Sequence, residues 1–381
     1  MNPLSDFMDE IINYALDYPH SIADNSFKMN VGNHLKEYTS DFMEEAAMDV
    51  LLENHLDDIL KECGLIRSCS SFISNYDEQL YIRPDLVSLI DYLQNKKQPE
   101  QRTQEWYDFR YNHITASNAW KAYSTSDKVN NQIIYEKCKP PDNSKYNNSL
   151  HESPMSWGHK YEPLTNILYE MFNDTTISEF GCIEHSIHPF LAASPDGIVT
   201  GKNNFGRMIE VKNVVSRVIT GVPKQDYYIQ MQLQMEVCDL DECDFIETKF
   251  TEYESYADYL ADGSNGFTHD DKYKGIIKVY IKNNEEYVYD YMDFKCTNID
   301  EWLDKTNNEL SWLKNVYWKL DVYSCVYVPR CKLWFEQTFE EIQHIWNVIL
   351  KERENGEYHS RQPTKRQKKE VVVLNTCLIL N

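Results

Sequence analysis

The chain has 381 residues, 42% of them hydrophobic, and a formal net charge of −23. This length and composition allow a sizeable core and predict two or three domains or one enlarged domain. We find neither a signal peptide at the N-terminus nor an apolar run of membrane-spanning length, so the sequence predicts a soluble, intracellular protein that is not secreted and has no membrane partner.

The first 98 residues predict an acidic helical domain. They carry 18 acidic and 7 basic residues, a net charge of −11. Apolar residues recur at helical spacing, as at Phe42, Ala46, Val50 and Leu51. No catalytic constellation is visible here. Because the negative charge is uneven along the chain, a local basic groove elsewhere is compatible with the acidic total.

Residues 99–335 predict one α/β domain. A loop is expected at 139–155, followed by a helix from about Trp157. An apolar stripe is expected to mark the buried face of that helix: Leu164, Ile167, Leu168, Met171 and Phe172. Alternating or apolar runs predict strands at 190–193, 198–199, 208–212, 245–250, 275–281 and 286–291, with a helix at 227–237 before the fourth of them. Asn283-Asn284 is expected to form a hairpin turn between the last two strands.

The remaining chain predicts a helix within 336–360 and a basic, flexible tail at 361–381. The helix should bury one apolar face: Phe339, Ile342, Trp346, Ile349 and Leu350. The tail carries the basic run 365–369. A nuclear import signal, a phosphate-binding tail and a plain solvated terminus are equally compatible with that run. The 10 cysteines include no CxxC pair, which predicts free thiols and argues against a zinc or iron–sulfur site.

Two acidic residues and one lysine carry the chemical signal. Asp196 lies in a turn between two predicted strands, shaped by Pro195 and Gly197. Glu210 and Lys212 are two residues apart on the next strand, so their side chains share one face. A hairpin would bring Asp196 beside Glu210, and hard carboxylate oxygens suit Mg²⁺. The three residues therefore predict metal-dependent phosphodiester hydrolysis, although the pattern alone is short and also typical of ordinary strands.

Neighbouring polar residues could complete the site. Glu162, on the preceding helix, could reach the metal as a third carboxylate or could be a solvated helix acid. Gln230 and Gln234 share one helix face, and Gln232 points away. A glutamine there could hold the attacking water or a carboxylate, or could simply be part of a polar helix surface.

The order of these segments, over roughly residues 102–250, resembles the lambda-exonuclease and YqaJ-type viral recombinase family of PD-(D/E)XK nucleases. The matching residues are Glu105-Trp106, Arg110, Ile114-Thr115-Ala116-Ser117, Trp157-Gly158, Glu162, Ser194-Pro195-Asp196-Gly197, Ile209-Glu210-Val211-Lys212, Gln230-Met231-Gln232 and Met235. A less specific similarity to such proteins from large DNA viruses follows at Tyr317-Trp318-Lys319-Leu320, Val328-Pro329-Arg330 and Trp334-Phe335.

The resemblance implies a restriction-endonuclease-like α/β fold, a central mixed sheet flanked by helices, preceded here by the helical extension. It implies Mg²⁺ as cofactor, with Mn²⁺ as a substitute, held by Asp196, Glu210 and Glu162. Lys212 would be the catalytic lysine and Gln230 would support the site, with Gln232 and Gln234 as accessory candidates. Trp106 is expected to be a core anchor.

The resemblance also implies the substrate and the reaction. Arg110 and Ser117 would bind the 5′-phosphate of a DNA end. The enzyme would degrade duplex DNA 5′→3′, releasing 5′-phosphorylated products, in viral recombination, replication or repair, in the host cytoplasm or nucleus. Its partners would be duplex DNA ends and a single-strand annealing or other viral protein. An endonuclease or junction resolvase on the same fold, or a catalytically silent recombination scaffold, are the alternatives, and the sequence leaves the oligomeric state and the choice of DNA over RNA open.

Overall fold

The computed structural model describes residues 3–40, 43–70, 84–100, 103–140, 154–264, 266–282, 286–305, 307 and 309–363. The described helices are α1 (Pro3–Asp17), α2 (Phe27–Thr39), α3 (Glu45–Glu62), α4 (Pro84–Asn95), α5 (Gln104–Tyr111), α6 (Ala116–Ala119), α7 (Asp127–Cys138), α8 (Pro154–Asn173), α9 (Gln225–Cys238), α10 (Tyr256–Ala261), α11 (Ile299–Asp304) and α12 (Lys332–Asn355), with 3-10 turns at Pro19–Ala23 and Glu357–Arg361. The described strands are β1 (Cys69–Ser70), β2 (Ile114–Thr115), β3 (Ile177–Ser178), β4 (Ile183–Glu184), β5 (Leu191–Ala193), β6 (Gly197–Val199), β7 (Met208–Asn213), β8 (Glu242–Glu252), β9 (Lys274–Lys282), β10 (Glu286–Tyr291) and β11 (Ser311–Pro329). The expected Asn283-Asn284 turn, the basic run 365–369 and most of the loop 139–155 lie outside the described residues.

A mixed sheet forms the centre of the fold. Its strand order within the described residues is β10-β9-β11-β8-β7-β6-β3, with β1 pairing to β11. Strand β7 runs antiparallel to β6 and parallel to β8, and the parallel pair is connected through helix α9. A second, smaller sheet has the strand order β2-β5-β4. The predicted α/β architecture, a central mixed sheet flanked by helices, is confirmed.

Helices α8 and α9 cover opposite faces of β7. The apolar residues Ile209 and Val211 pack with Tyr169 of α8, whereas the alternate residues face α9. The stripe predicted for α8 is only partly correct. Leu164 and Leu168 are buried, but the other three members, Ile167, Met171 and Phe172, are 36–40% exposed. The buried face of the helix is rotated toward the aromatic positions 161 and 169, because these larger rings fill the space above the sheet.

The N-terminal helices pack directly on the rest of the chain. Their buried residues, among them Ile11, Phe27 and Leu56, join one apolar cluster that continues into α9 and α12. The stripe predicted in α3 is only partly correct: Leu51 is partly buried against this cluster, and Phe42 lies outside the described residues. Ala46 and Val50 are exposed, and the buried face is made of other residues, namely Met48, Leu56, Ile59 and Leu60. The predicted domain borders at 98 and 335 stay predictions.

The C-terminal part holds the main difference from the sequence prediction. Strand β11 covers 19 residues and pairs with both β8 and β9, yet no strand was predicted there. Helix α12 begins at Lys332, four residues before the predicted 336. Of its predicted face, Ile342 and Ile349 are buried and Leu350 is 43% exposed.

The nine cysteines in the described ranges are free thiols, as predicted. Among the described helices, none has the length and apolar character needed to cross a membrane.

Candidate active site

Asp196 lies in the turn that joins β5 to β6. Its Oδ2 accepts a hydrogen bond of 2.8 Å from the backbone N–H of Val211, which fixes the carboxylate against β7. The next residue must be glycine, because a Cβ on Gly197 would lie 2.3 Å from the Ile177 side chain. The close approach of the strands at Gly197 therefore sets the direction in which the Asp196 carboxylate leaves the turn.

Glu210 is the central acid of the site and is fully buried, with a relative exposure of 0%. Its Oε1 accepts hydrogen bonds from Lys212 Nζ and from Gln230 Nε2, the latter at 2.7 Å. Its Oε2 accepts one from Gln234 Nε2 at 2.8 Å. Burying an ionised carboxylate without partners would destabilise the folded state by roughly several kcal/mol, and these donors offset that cost. The donors hold both oxygens of Glu210 in one orientation.

Lys212 shares the α9-facing side of β7 with Glu210, as their spacing predicts. Burial alone would lower the pKa of Lys212, but the carboxylates of Glu210 and Asp196 outweigh it and raise that pKa. The ammonium group also lies 5.1 Å from the centre of the Tyr227 ring. In this arrangement Lys212 is a protonated donor rather than a base.

Negative charge is concentrated around Asp196. Burial raises its pKa well above the usual range, and the nearby carboxylates of Glu210 and Glu162 raise it further. Lys212 and the Val211 N–H oppose this shift without cancelling it. Glu162 of α8 is therefore close enough to Asp196 to interact through its charge, although it lies on the helix of the opposite face.

The three glutamines that the sequence analysis selected in α9 divide as their spacing predicts. Gln230 and Gln234 both donate to Glu210, whereas Gln232 points away. Gln232 donates to the carbonyl of Pro329 at 2.9 Å and accepts from the N–H of Cys331 at 2.7 Å. Gln232 therefore connects α9 to the start of α12, and it makes no contact with the acidic cluster.

The acidic cluster fits a hard divalent cation by its chemistry. Within the described ranges, no three His, Cys, Asp or Glu side chains already stand as a complete metal-binding group. Mg²⁺, however, is usually held by one or two carboxylates and takes its other ligands from water and substrate phosphate. The pKa of Asp196 is raised by burial and further by two neighbouring carboxylates, and such a cation would neutralise this local negative charge.

Arg110 and Ser117 form a second polar pair, on elements that pack against those of the acidic cluster. Arg110 Nη2 donates to Ser117 Oγ at 3.0 Å. Ser117 belongs to α6, which packs against α9 and against β5, the strand that leads to Asp196. The expectation that Trp106 is a core anchor is wrong. The indole is only half-buried and stacks on the Arg110 guanidinium at 4.4 Å, so it supports the arginine rather than the core.

Sequence reasoning missed a second charged pair beside Lys212. Glu247 of β8 is the register partner of Lys212, is 2% exposed, and forms an ion pair with Arg217. Arg217 lies 5.7 Å from the same Tyr227 ring that Lys212 approaches. The signal was present, since Glu247 is an acid inside the predicted strand 245–250.

Comparison with known proteins identifies the segment that contains both the acidic cluster and the Arg110–Ser117 pair. Residues 105–254 match the family model of the YqaJ-like viral recombinase domain. The predicted resemblance is confirmed. This YqaJ-like segment runs from α5 to the end of β8 and contains every candidate site residue described above, from Arg110 to Glu247.

Individual relatives were also found. The chain is 28% identical over 326 residues to an uncharacterized protein of Acanthamoeba polyphaga mimivirus, a match that covers 74% of this chain and 58% of the viral protein. Among solved structures it is similar to an alkaline exonuclease from Laribacter hongkongensis, with 18% identity, a TM-score of 0.40, and coverage of 68% of this chain and 98% of that one. It is also similar to a phage-related exonuclease from Haemophilus somnus 129PT, with 14% identity, a TM-score of 0.36, and coverage of 64% and 96%.

Proposed function

We propose that the chain is a Mg²⁺-dependent DNA nuclease, and that its reaction is 5′→3′ exonuclease digestion of duplex DNA ends in viral recombination, replication or repair. The observation that carries the proposal is the buried carboxylate of Glu210, held by a lysine and two glutamines beside Asp196. A buried cluster of charged groups destabilises the folded state and is typical of a functional site. The match of residues 105–254 to the YqaJ-like family supports the same conclusion.

Asp196, Glu210 and Glu162 are the residues that would hold Mg²⁺, with Mn²⁺ as a substitute. When bound, the cation supplies Lewis-acid polarisation of the phosphate and lowers the pKa of water. The Asp196 carboxylate has one oxygen bonded to the backbone of β7, which leaves its other oxygen for a ligand. Gln230 and Gln234 prevent rotation of Glu210, so that its oxygens keep a fixed direction.

Lys212 acts through its retained proton. Because the neighbouring carboxylates raise its pKa, it remains an ammonium group near neutral pH. An ammonium group beside the reacting phosphate can orient the water and stabilise negative charge that develops on oxygen in the transition state. Tyr227, next to Lys212, limits the directions available to its side chain.

Arg110 and Ser117 are the residues proposed to bind the 5′-phosphate of a DNA end. A guanidinium group binds phosphate oxygens in a forked geometry, and a hydroxyl adds a further donor. Trp106 holds the Arg110 guanidinium from its ring face. Recognition of a terminal phosphate next to the acidic cluster would direct hydrolysis to the end of a strand, which favours an exonuclease over an endonuclease or junction resolvase.

Partners and location follow from the same proposal. The substrate would be duplex DNA ends, and the overhang produced would pass to a single-strand annealing or other viral protein. The chain spans 58% of the length of the mimivirus relative. The run 365–369 would serve as a nuclear import or phosphate-binding segment.

The test uses end-labelled linear duplex DNA with 5′-phosphate or 5′-hydroxyl ends and a covalently closed circle, each with Mg²⁺ or EDTA. We expect stepwise loss from phosphorylated 5′ ends and an intact circle. Cutting of the circle would favour the endonuclease. Absence of cleavage of every substrate by a folded protein would favour the recombination scaffold.

A further inference from the structure

The last turn of α5, which carries Arg110, is fixed from three directions. Three successive backbone carbonyls of this turn each accept a hydrogen bond from a side chain, one of them local and two from the distant helices α7 and α12. The pairs are Phe109 O with His113 Nδ1 at 2.6 Å, Arg110 O with Lys137 Nζ at 2.5 Å, and Tyr111 O with Arg353 Nη2 at 2.7 Å. A helix C-terminus leaves its last carbonyls without partners, and cationic side chains satisfy them well.

Lys137 and Arg353 are also connected to each other. Arg353 donates to the carbonyl of Lys137 through Nε at 2.9 Å and through Nη2 at 2.7 Å. Its guanidinium lies 4.3 Å from the Tyr111 ring and 5.5 Å from the Trp346 ring. The end of α12 therefore binds α5 and α7 at one point, although Arg353 is more than 200 residues away from its partners in sequence.

The cluster has an electrostatic effect on its surroundings. Lys137 is only 6% exposed. Burial lowers its pKa to about 7, and the positive charges of Arg110 and Arg353 contribute to this shift. The guanidinium groups of Arg110 and Arg353 thus lie within interaction distance of Lys137, which is only partly protonated near neutral pH, in a chain whose net charge is −23. A concentration of positive charge at Arg110 suits an anionic ligand.

We propose that Lys137 and Arg353 are positioning residues for Arg110, and that the C-terminal helix α12 thereby sets the recognition of a terminal 5′-phosphate. The two residues hold the backbone of the α5 turn, so that the Arg110 guanidinium stays over Trp106 and against Ser117. This inference rests on the proposed function of the Arg110 pocket. It adds a requirement for residues outside the YqaJ-like segment, since α12 begins 78 residues after that segment ends.

The test compares Arg353→Met with Arg361→Met. Arg361 is a matched control because it also joins the end of α12 to α7, through Glu352 and Asn131, and does not contact α5. The readouts are the melting temperature, the binding of fluorescent duplexes with 5′-phosphate or 5′-hydroxyl ends in Ca²⁺, and KM and kcat in Mg²⁺. Arg353→Lys, which keeps the charge, is a second variant for the case in which the methionine variant does not fold.

Arg353→Met should weaken binding and raise KM for 5′-phosphorylated ends by about tenfold, the loss expected for one misaligned charge-assisted hydrogen bond. Its kcat and its binding to 5′-hydroxyl ends should remain close to wild type. The KM of Arg353→Lys for 5′-phosphorylated ends should lie between that of the wild type and that of Arg353→Met. Arg361→Met should lower the melting temperature but keep the preference for phosphorylated ends.

An Arg353→Met protein that keeps this preference, or an Arg361→Met protein that loses it equally, would overturn the inference. So would a wild-type protein that binds both ends equally, even if it cleaves linear DNA. Absence of cleavage with a preserved preference in binding would overturn the proposed nuclease reaction instead, and would leave the positioning role of Arg353 supported.

Discussion

The glutamines of α9 allow a prediction with an internal control. Replacing Gln234 by methionine removes the only hydrogen bond to Oε2 of Glu210 among the described contacts, at nearly constant side-chain volume. A hydrogen bond to a charged group contributes about 1.5–3 kcal/mol, and loss of a residue that orients a metal ligand typically weakens metal affinity by about 10–100-fold. We therefore expect the Mg²⁺ concentration for half-maximal activity to rise by about one to two orders of magnitude.

Gln232→Met is the matched control, because this residue is two positions away on the same helix and has two good hydrogen bonds of its own. Loss of the Gln232 side-chain amide leaves the N–H of Cys331 and the carbonyl of Pro329 without their hydrogen-bond partner. The free energy of unfolding should fall by about 1–3 kcal/mol. The Mg²⁺ dependence of this variant should stay that of wild type. The assay is a Mg²⁺ titration of the initial rate of cleavage, paired with denaturant unfolding of each variant. Equal shifts of the Mg²⁺ midpoint in both variants would refute the division of roles along α9.

Three further predictions concern pH and packing. Lys137 has a folded pKa of about 7, below its unfolded value, so the unfolded state binds more protons between about pH 7 and 10 and stability should rise with pH there, by up to about 1.4 kcal/mol per pH unit. Lys137→Met should flatten this rise in urea unfolding measured at several pH values, and an unchanged slope would contradict the burial argument. Asp196 has a raised folded pKa, so in EDTA its ionisation destabilises the native state as pH rises from the unfolded toward the folded pKa. Asp196→Asn should abolish cleavage and raise the melting temperature at neutral pH in EDTA, and a lower melting temperature would show that the charge is compensated. Gly197→Ala would place a Cβ 2.3 Å from the Ile177 side chain and should destabilise the protein by about 1–3 kcal/mol in the same unfolding assay, whereas a neutral effect would mean that β3 can shift.

The acidic cluster could be predicted because its geometry is local. The spacing of Glu210 and Lys212 on one strand, and of Gln230 and Gln234 on one helix, fixes which side chains share a face. The turn at Asp196 then needs only a hairpin to complete the arrangement. The position of Glu162 depended on how α8 packs across the sheet, which no local pattern determines.

Long-range packing explains what the sequence did not predict. Strand β11 alternates poorly, with Trp312 and Leu313 exposed, because it pairs with β9 along its first half and β8 along its second and bends at shifts in register. In α8, the rings of Tyr161 and Tyr169 share the core with Leu164 and Leu168, and the rest of the predicted stripe is exposed. Arg353 could not be connected to Arg110 from sequence, since the contact joins segments more than 200 residues apart.

The most direct test of the central claim is the release of mononucleotides from 5′-phosphorylated linear duplex DNA by the wild-type protein and by Lys212→Met, with both shown by circular dichroism to be folded. The account predicts Mg²⁺-dependent release of 5′-mononucleotides by the wild type, abolished by EDTA, and at least about a hundredfold slower release by the variant, as expected when a transition-state donor is removed. Equal release by the two proteins, or none by the wild type in Mg²⁺ or Mn²⁺, would contradict the assignment of the Asp196, Glu210 and Lys212 cluster as a nuclease active site.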